Sequence, residues 1–345
     1  MSRDTDARHH CARATTNTAR ATAETRATME WVGTTETAET SDSTETPDST
    51  ERVETTETAN ESTTSRRGLL RAAGVTTAGL GLVGVTSTGV TAEETFPRVS
   101  TRGHFDVTWY GSVVLEDGHT EWEYDTVGTI PGLDSRAPDE LLVHVHGWRN
   151  EPNQAVEGFR EARAAYRDEG YNHPVVGFTW DSDSSVFGWW DSTEIAEENG
   201  LKLAQFVYDY RNRNPGTSIR LVAHSLGARV VLRAIEVLNY SGVTDYVDSL
   251  SLLGGAADND AVSTEGRYGP DLAGAVGQVD NFWKDEDNVL NWAYTSAEWD
   301  SAVGEEGCEG PEPSNYEDHN VDYVPSHFDY DRPDVGCIGD VVAEW

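Results

Sequence analysis

The sequence predicts an α/β fold, with a mostly parallel sheet covered by helices on both faces. Apolar runs typical of buried strands alternate with amphipathic segments of helical period from about residue 140 onward. Within this alternation, residues 219–239 have the pattern of a strand, a tight turn and a helix. Parallel strands need crossover connections, which helices usually supply, so the alternation favours a parallel sheet. The length of residues 93–345 suits one such domain.

The predicted elements follow in chain order. A hairpin formed by residues 107–115 and 120–129, around the turn Glu116–Asp117–Gly118, comes first. The predicted strands are 141–145, 175–180, 219–223, 249–256 and 277–283, and the predicted helices are 155–168, 193–212 and 229–239. The first helix shows the expected period, since Val156, Phe159, Ala162 and Tyr166 fall on one face.

The sequence of the amino-terminal region indicates that the protein is exported. Residues 1–64 are rich in Thr, Ser, Ala and Glu and are expected to be disordered, with Met29 as a possible true start. Residues 65–92 contain the pair Arg66–Arg67, a weakly apolar segment and small residues before Glu93, as in a twin-arginine signal. A membrane anchor is the alternative, although Gly and Thr make the segment a poor span. We expect recognition by the twin-arginine export machinery and a secreted or cell-surface location.

The charge excludes some partners. The chain has 61 acidic and 25 basic residues and a net charge of −36. Nucleic acids and anionic membranes would be repelled, so neither is an expected partner. Such acidity is typical of proteins from haloarchaea, because molar salt shortens the Debye length to about 3 Å and screens self-repulsion. The pairs Asp181/Asp183 and Asp258/Asp260 are therefore expected at the surface, and no His/Cys cluster has zinc spacing.

Ser225 is the candidate nucleophile. It lies in the turn Ala223–His224–Ser225–Leu226–Gly227, between a predicted strand and a predicted helix. Small residues two positions before and after the serine are typical of a nucleophile elbow, although Ala223 stands where Gly is usual. A serine hydroxyl needs a base, a carboxylate that orients the base, and N–H donors for the developing oxyanion.

Candidates for those partners follow predicted strand ends. Backbone N–H groups of Trp148, after the strand ending in His146–Gly147, and of Leu226 are the candidate oxyanion donors. Asp287 is the preferred acid; the alternatives are Asp258, Glu298 and Asp300. His327, on a late loop, is the preferred base, with His319 as the alternative. His146 and His224 are expected to shape the pocket, and His144 to pack in or beside the core.

These residues carry a family resemblance. Residues 140–345 contain His-Gly-Trp, Phe-Thr-Trp-Asp, Ala-His-Ser-Leu-Gly and Asn-Phe-x-x-x-x-Asp-x-Val-Leu, in that order. The chain order Ser225, Asp287, His327 and these motifs resemble the α/β-hydrolase-fold serine hydrolases of the esterase and lipase type. The resemblance implies hydrolysis of a small or lipid-like carboxylic ester through an acyl-enzyme, without a metal or organic cofactor. It does not identify the ester.

Other activities remain open at this point. The same triad could act as a thioesterase, an amidase or an acyltransferase, and a non-catalytic surface module could keep the fold. No stable protein partner can be inferred. Phe187, Trp189 and Trp190 follow a strand end and are expected to form a pocket wall or a short lid, with core packing as the alternative. Cys308 and Cys337 are expected to form a disulfide in the exported protein, with free thiols as the alternative.

Removing salt should unfold the domain. In dilute buffer the Debye length grows to about 10 Å or more, so repulsion among the excess carboxylates is no longer screened. Circular dichroism recorded while the KCl concentration is lowered should show loss of secondary structure at concentrations well below 1 M. Equal stability in dilute buffer and in molar KCl would contradict the halophilic interpretation.

Overall fold

The computed structural model describes residues 95–108, 111–183, 188–285, 287–298 and 300–345. The predicted disordered extension (1–64), with its possible start at Met29, and the predicted export signal (65–92) lie outside the described residues. Both remain predictions.

Ten strands are present among the described residues. They are β1 (Arg98–Ser100), β2 (Phe105–Val107), β3 (Val113–Leu115), β4 (Asp125–Val127), β5 (Glu140–Val145), β6 (Val175–Thr179), β7 (Ser218–His224), β8 (Val247–Leu253), β9 (Val276–Trp283) and β10 (Tyr316–Asn320). Eight form one sheet in the order β10-β9-β8-β7-β5-β6-β1-β4, and β2 pairs with β3 in a separate hairpin. Within the large sheet only the β1–β4 pair is antiparallel.

Helices connect the parallel strands. They are α1 (Pro152–Asp168), α2 (Trp189–Arg213), α3 (Gly227–Tyr240), α4 (Gly269–Ala275), a π-helical turn (Leu290–Tyr294), α5 (Thr295–Glu298), α6 (Val303–Glu306) and α7 (Ile338–Ala343). In the part of the chain that the structure describes, no helix combines the length and apolar character needed to cross a membrane.

The sheet separates two hydrophobic clusters. In β5, Leu141 and Val143 belong to the cluster that contains α2 and α3, whereas Leu142 belongs to the cluster that contains α1 and α7. Alternate side chains of a strand point to opposite faces, so both faces of β5 are buried. Gly177 in β6 allows α1 to approach closely, because a Cβ there would lie 2.3 Å from the Phe159 ring. This double burial explains the continuous apolar runs in the sequence.

The predicted fold class is confirmed, and the five predicted strands and three predicted helices are all present. The predicted hairpin is wrong. The chain instead reverses between β2 and β3, where the Thr108 N–H donates to the Ser112 carbonyl (2.9 Å). The turn at Gly118 exists with φ +95, but β4 beyond it pairs with β1 at the sheet edge. The three-residue strand β1 was not predicted from the sequence, and the segment of β4 was therefore paired with the wrong strand.

The predicted disulfide between Cys308 and Cys337 is not formed, and both are free cysteines. Cys308 packs against the cluster on the α2–α3 face, while Cys337 is buried in the cluster on the α1–α7 face. The sheet therefore separates the two thiols. The Cys337 thiol instead faces the Tyr330 carbonyl at 3.6 Å. Burial raises the pKa of both thiols, to about 11 for Cys308.

A reducing agent should leave the melting temperature of the folded protein unchanged, because neither described cysteine forms a crosslink. Thermal unfolding in molar KCl, with and without a thiol-free phosphine reductant, measures this. The Cys308→Ser variant should behave like wild type in both conditions. A lower melting temperature only under reduction would show that the two thiols are bridged after all.

Candidate active site

The turn that presents Ser225 is built by close backbone contacts. Ser225 follows β7 with φ +54, a left-handed conformation that is unusual for a residue other than glycine. A Cβ on Gly147 would lie 2.8 Å from the Ser225 Cβ, and one on Gly227 would lie 2.8 Å from the carbonyl oxygens of Val145 and His146. Only glycine fits at these two positions. Ala223, which stands where elbows usually have Gly, is fully buried.

Ser225, His327 and Asp287 are joined by hydrogen bonds. The Ser225 Oγ lies 2.8 Å from His327 Nε2, and His327 Nδ1 lies 2.8 Å from Asp287 Oδ2. All three residues are buried, Asp287 completely. Asp287 follows β9, and His327 lies on the loop between β10 and α7. The structure thus brings the preferred acid and the preferred base to the candidate nucleophile.

The Asp287 carboxylate is held by several donors. Besides His327, its Oδ1 accepts the N–H groups of Val289 (3.1 Å) and Leu290 (3.2 Å), and its Oδ2 accepts the Tyr330 hydroxyl (3.4 Å). Burial opposes ionisation, but the hydrogen bond and charge of His327 and these backbone donors outweigh it and lower the pKa of Asp287. The carboxylate is therefore ionised, and it fixes the proton of His327 on Nδ1.

Two further histidines support the His327 loop. His224 donates its Nε2–H to the His327 carbonyl (2.7 Å), and burial lowers the pKa of His224 to about 4. His144 lies 3.2 Å from Asp331 Oδ2 through Nε2 and 3.1 Å from the Tyr166 hydroxyl through Nδ1. Sequence reasoning missed Tyr330 and Asp331. The segment immediately after His327 was the only signal that could have indicated them.

The two segments that carry the predicted oxyanion donors lie next to Ser225. Leu226 directly follows Ser225 at the start of α3, and the His146–Gly147–Trp148 turn passes against Ser225. His146 shapes this turn, because its Nδ1–H donates to the Gly147 carbonyl (2.8 Å) and its Nε2 accepts the Trp180 N–H (3.3 Å). Burial, and then the nearby Arg102, lower the pKa of His146 to about 3, so the ring is neutral.

A cavity of about 840 Å³ opens at Ser225. Apolar side chains of Trp148, Phe159, Val289 and Phe328 line it, together with Arg149 and Arg332. His146, His224 and His327 line it as well.

The observed cavity wall differs from the predicted one. Phe187 lies outside the described residues. Trp189 is only 7% exposed and packs edge-on against Trp148 with ring centroids 5.1 Å apart, so it supports the cavity wall from behind. Trp190 is 57% exposed, and neither tryptophan is among the residues that line the cavity.

The alternative acids and the alternative base lie elsewhere. His319 Nε2 contacts Asp280 Oδ1 at 3.0 Å, and its ring stacks on Phe282. Asp258 accepts the Tyr294 hydroxyl, Glu298 pairs with Arg229 at 3.1 Å, and Asp300 is exposed. None of these four contacts Ser225 or His327 in the described structure.

Acid should destabilise the fold through His146 and His224. Their folded pKa values lie below the unfolded value of about 6.5, so the unfolded chain gains their protons first. Their contribution to stability is complete above about pH 6.5 and is lost as the pH falls toward 4, at about 1.4 kcal/mol per pH unit for each histidine. Urea unfolding in molar KCl across this pH range measures the slope.

In the His224→Gln variant, the unfolding free energy should depend less steeply on pH, by the amount that the titration of one histidine contributes. His173→Gln, a substitution of an exposed histidine, should keep the wild-type slope. Identical slopes for His224→Gln and wild type would show that His224 does not titrate as described.

Residues 129–276 match the model of a family described as alpha/beta hydrolase of unknown function (DUF900). No curated protein shows a significant match. Among solved structures, a cutinase-like protein from Cryptococcus sp. has 13% identity and a TM-score of 0.30, covering 54% of this chain and 78% of its own.

The catalytic core domain of acetyl xylan esterase from Trichoderma reesei has 10% identity and a TM-score of 0.31, covering 60% of this chain and 94% of its own. At these values neither protein informs the substrate of this chain. The sheet order, the strand–serine–helix turn and the matching family model show that the chain has the α/β-hydrolase fold.

Proposed function

We propose that this chain is a serine hydrolase that cleaves carboxylic esters through an acyl-enzyme. The observation that carries the proposal is the continuous hydrogen-bonded chain from Asp287 through His327 to Ser225 Oγ, with both links at 2.8 Å. A serine becomes nucleophilic when a neutral imidazole accepts its proton, and a carboxylate beside that imidazole stabilises the resulting imidazolium.

In the first half-reaction, His327 Nε2 takes the Ser225 proton while Oγ attacks the ester carbonyl carbon. The carbonyl oxygen becomes an oxyanion that accepts hydrogen bonds from the backbone N–H groups of Trp148 and Leu226. As the tetrahedral intermediate collapses, the bond to the alcohol oxygen breaks and His327 gives its proton to that oxygen. The products are an acyl-Ser225 ester and the free alcohol.

In the second half-reaction, His327 removes a proton from water, which attacks the acyl carbon. Collapse of this intermediate returns the proton to Ser225 Oγ and releases the carboxylic acid. Asp287 stays ionised in both halves. It holds the Nδ1–H of His327, so that Nε2 faces Ser225 with its lone pair.

The cavity walls support an ester with an apolar part. Trp148, Phe159 and Val289 offer apolar surface beside Ser225. The charged side chains in the lining have both signs, since Arg332 pairs with Glu161 at 3.7 Å. Thioesters, amides and transfer of the acyl group to an acceptor other than water use the same three residues. They are the second candidate class, together with a non-catalytic module of this fold.

We also propose that the protein is exported through the twin-arginine pathway and works in molar salt outside the cell. The paired residues Arg66–Arg67 and the net charge of −36 support this proposal.

A fluorophosphonate probe tests the nucleophile directly. In molar KCl, the wild-type chain should be labelled, and Ser225→Ala should not be labelled. Asp287→Asn should slow labelling and hydrolysis of a p-nitrophenyl ester by roughly 10³–10⁴-fold, because the imidazole loses its orienting carboxylate. Asp285→Asn, a change at an exposed carboxylate two residues away, should react at the wild-type rate.

Absence of labelling in a folded wild-type sample would reject the proposal and favour the non-catalytic module. Labelling at Ser225 without turnover of any ester in a panel graded by acyl length would move the assignment to thioesters, amides or acyl transfer. Equal losses in Asp287→Asn and Asp285→Asn would remove Asp287 from the triad.

A further inference from the structure

Helix α1 contains a glycine that neither its backbone nor its packing requires. Gly158 lies in the interior of α1 with an ordinary helical backbone, although glycine is the weakest helix former apart from proline. Among the described residues, a Cβ on Gly158 would meet no atom within 4 Å apart from the backbone of its own helix. Gly177 differs, because a Cβ there would collide with the Phe159 ring. A side chain at position 158 would therefore fill only the space beside the helix.

That space belongs to the cavity at Ser225. Gly158 and Ser225 line the same cavity of about 840 Å³, and so does Ala155, which precedes Gly158 by one turn of α1. Residues three apart on a helix lie on one face, so the wall that α1 forms here carries little side-chain volume. Cavities of about 300–1,000 Å³ hold drug-sized ligands, which are much larger than an acetyl group.

Gly158 lines a part of the cavity away from the reacting bond. Helix α1 begins at Pro152, shortly after the His146–Gly147–Trp148 turn that passes against Ser225. With a rise of about 1.5 Å per residue, Gly158 lies about 9 Å farther along the helix than Pro152. A group that reaches Gly158 must therefore extend well beyond the carbonyl that Ser225 attacks.

The loop after His327 supplies an apolar contact on the way to solvent. Phe328 lines the cavity, is 62% exposed, and sets its ring edge-on to the His327 ring with centroids 5.6 Å apart. Farther along this loop, Arg332 pairs with Glu161 of α1 at 3.7 Å, and both side chains are about half-exposed. The helix and the loop thus meet at the solvent edge of the cavity. An apolar chain that starts at Ser225 can pass between α1 and Phe328 before it reaches water.

We propose that Gly158 sets the length of the ester that this site accepts, because its missing side chain leaves room along α1 for an unbranched apolar chain. The inference rests on the proposed ester hydrolysis at Ser225. The substrate class is an ester whose acyl or alkoxy group is such a chain, longer than butyryl. A side chain at position 158 would occupy the path of that chain and would leave Ser225 and His327 in place.

Two pairs of esters measure this with the full chain in molar KCl. p-Nitrophenyl acetate and p-nitrophenyl octanoate vary the acyl group, and ethyl acetate and octyl acetate vary the alkoxy group. In at least one pair, wild type should turn over the long ester with the higher kcat/KM. Gly158→Leu should lower kcat/KM for that ester by roughly 10–100-fold, mainly through KM, and for the short ester by less than about twofold. The pair that shows the loss identifies which group lies along α1.

Ala164→Leu is the matched control. It introduces the same side chain at an exposed position of α1 that does not line the cavity, so it should keep the wild-type ratio of long-ester to short-ester kcat/KM. Gly158→Ala should raise the melting temperature, because alanine favours a helix more than glycine, and should lower the long-ester kcat/KM less than Gly158→Leu does. A small fluorophosphonate should label Ser225 equally in all three variants and in wild type.

The outcomes separate this inference from the hydrolase proposal. Equal changes for the short and the long ester in Gly158→Leu, or the same selective loss in Ala164→Leu, would overturn the inference while Ser225 is still labelled. A wild type that prefers the short ester in both pairs would overturn it as well. Absence of labelling in folded wild type would instead reject the hydrolase proposal, and this inference with it.

Discussion

The backbone of Ser225 is held in a left-handed conformation, and the site depends on it. This conformation costs a residue other than glycine on the order of 1–3 kcal/mol, so neighbouring structure must hold it. The Ser225 N–H donates to the Leu253 carbonyl, and the Ser225 carbonyl accepts the N–H groups of Ala228 and Ala256, each at 3.0 Å. Strand β8, helix α3 and the loop after β8 therefore fix the turn from three sides.

The same constraint explains the glycines beside the serine. Because Gly147 and Gly227 carry no side chain, the ends of β5 and β7 and the start of α3 come within backbone contact distance. This contact brings the His146–Gly147–Trp148 turn against Ser225. A larger residue at either glycine would push the turn and the helix apart, and the hydroxyl would lose its position relative to His327.

Burial of Ser225, His327 and Asp287 requires polar contacts around these three residues. An ionised carboxylate out of water is costly unless donors surround it, and Asp287 has them in His327, Tyr330 and two backbone N–H groups. His224 donates a hydrogen bond to the His327 carbonyl, so the loop that carries His327 is tied to the residue before Ser225. These contacts link the stability of the fold to pH, since the supporting histidines must remain neutral.

The sequence by itself determined the alternation of strands and helices and indicated Ser225 as the candidate nucleophile, because strand burial and tight turns leave local patterns. Asp287 and His327 were preferred over several alternatives, and the tertiary structure brings these two residues to Ser225. It could not determine the partner of β4, the separation of Cys308 and Cys337 by the sheet, or the packing of Trp189 behind Trp148. The stacking of the His104 ring on the His119 ring could not be predicted either, because the hairpin brings the two residues together and their spacing in the sequence matches no motif. Each of these depends on which segments meet in space, and contact between distant segments is decided only by tertiary packing.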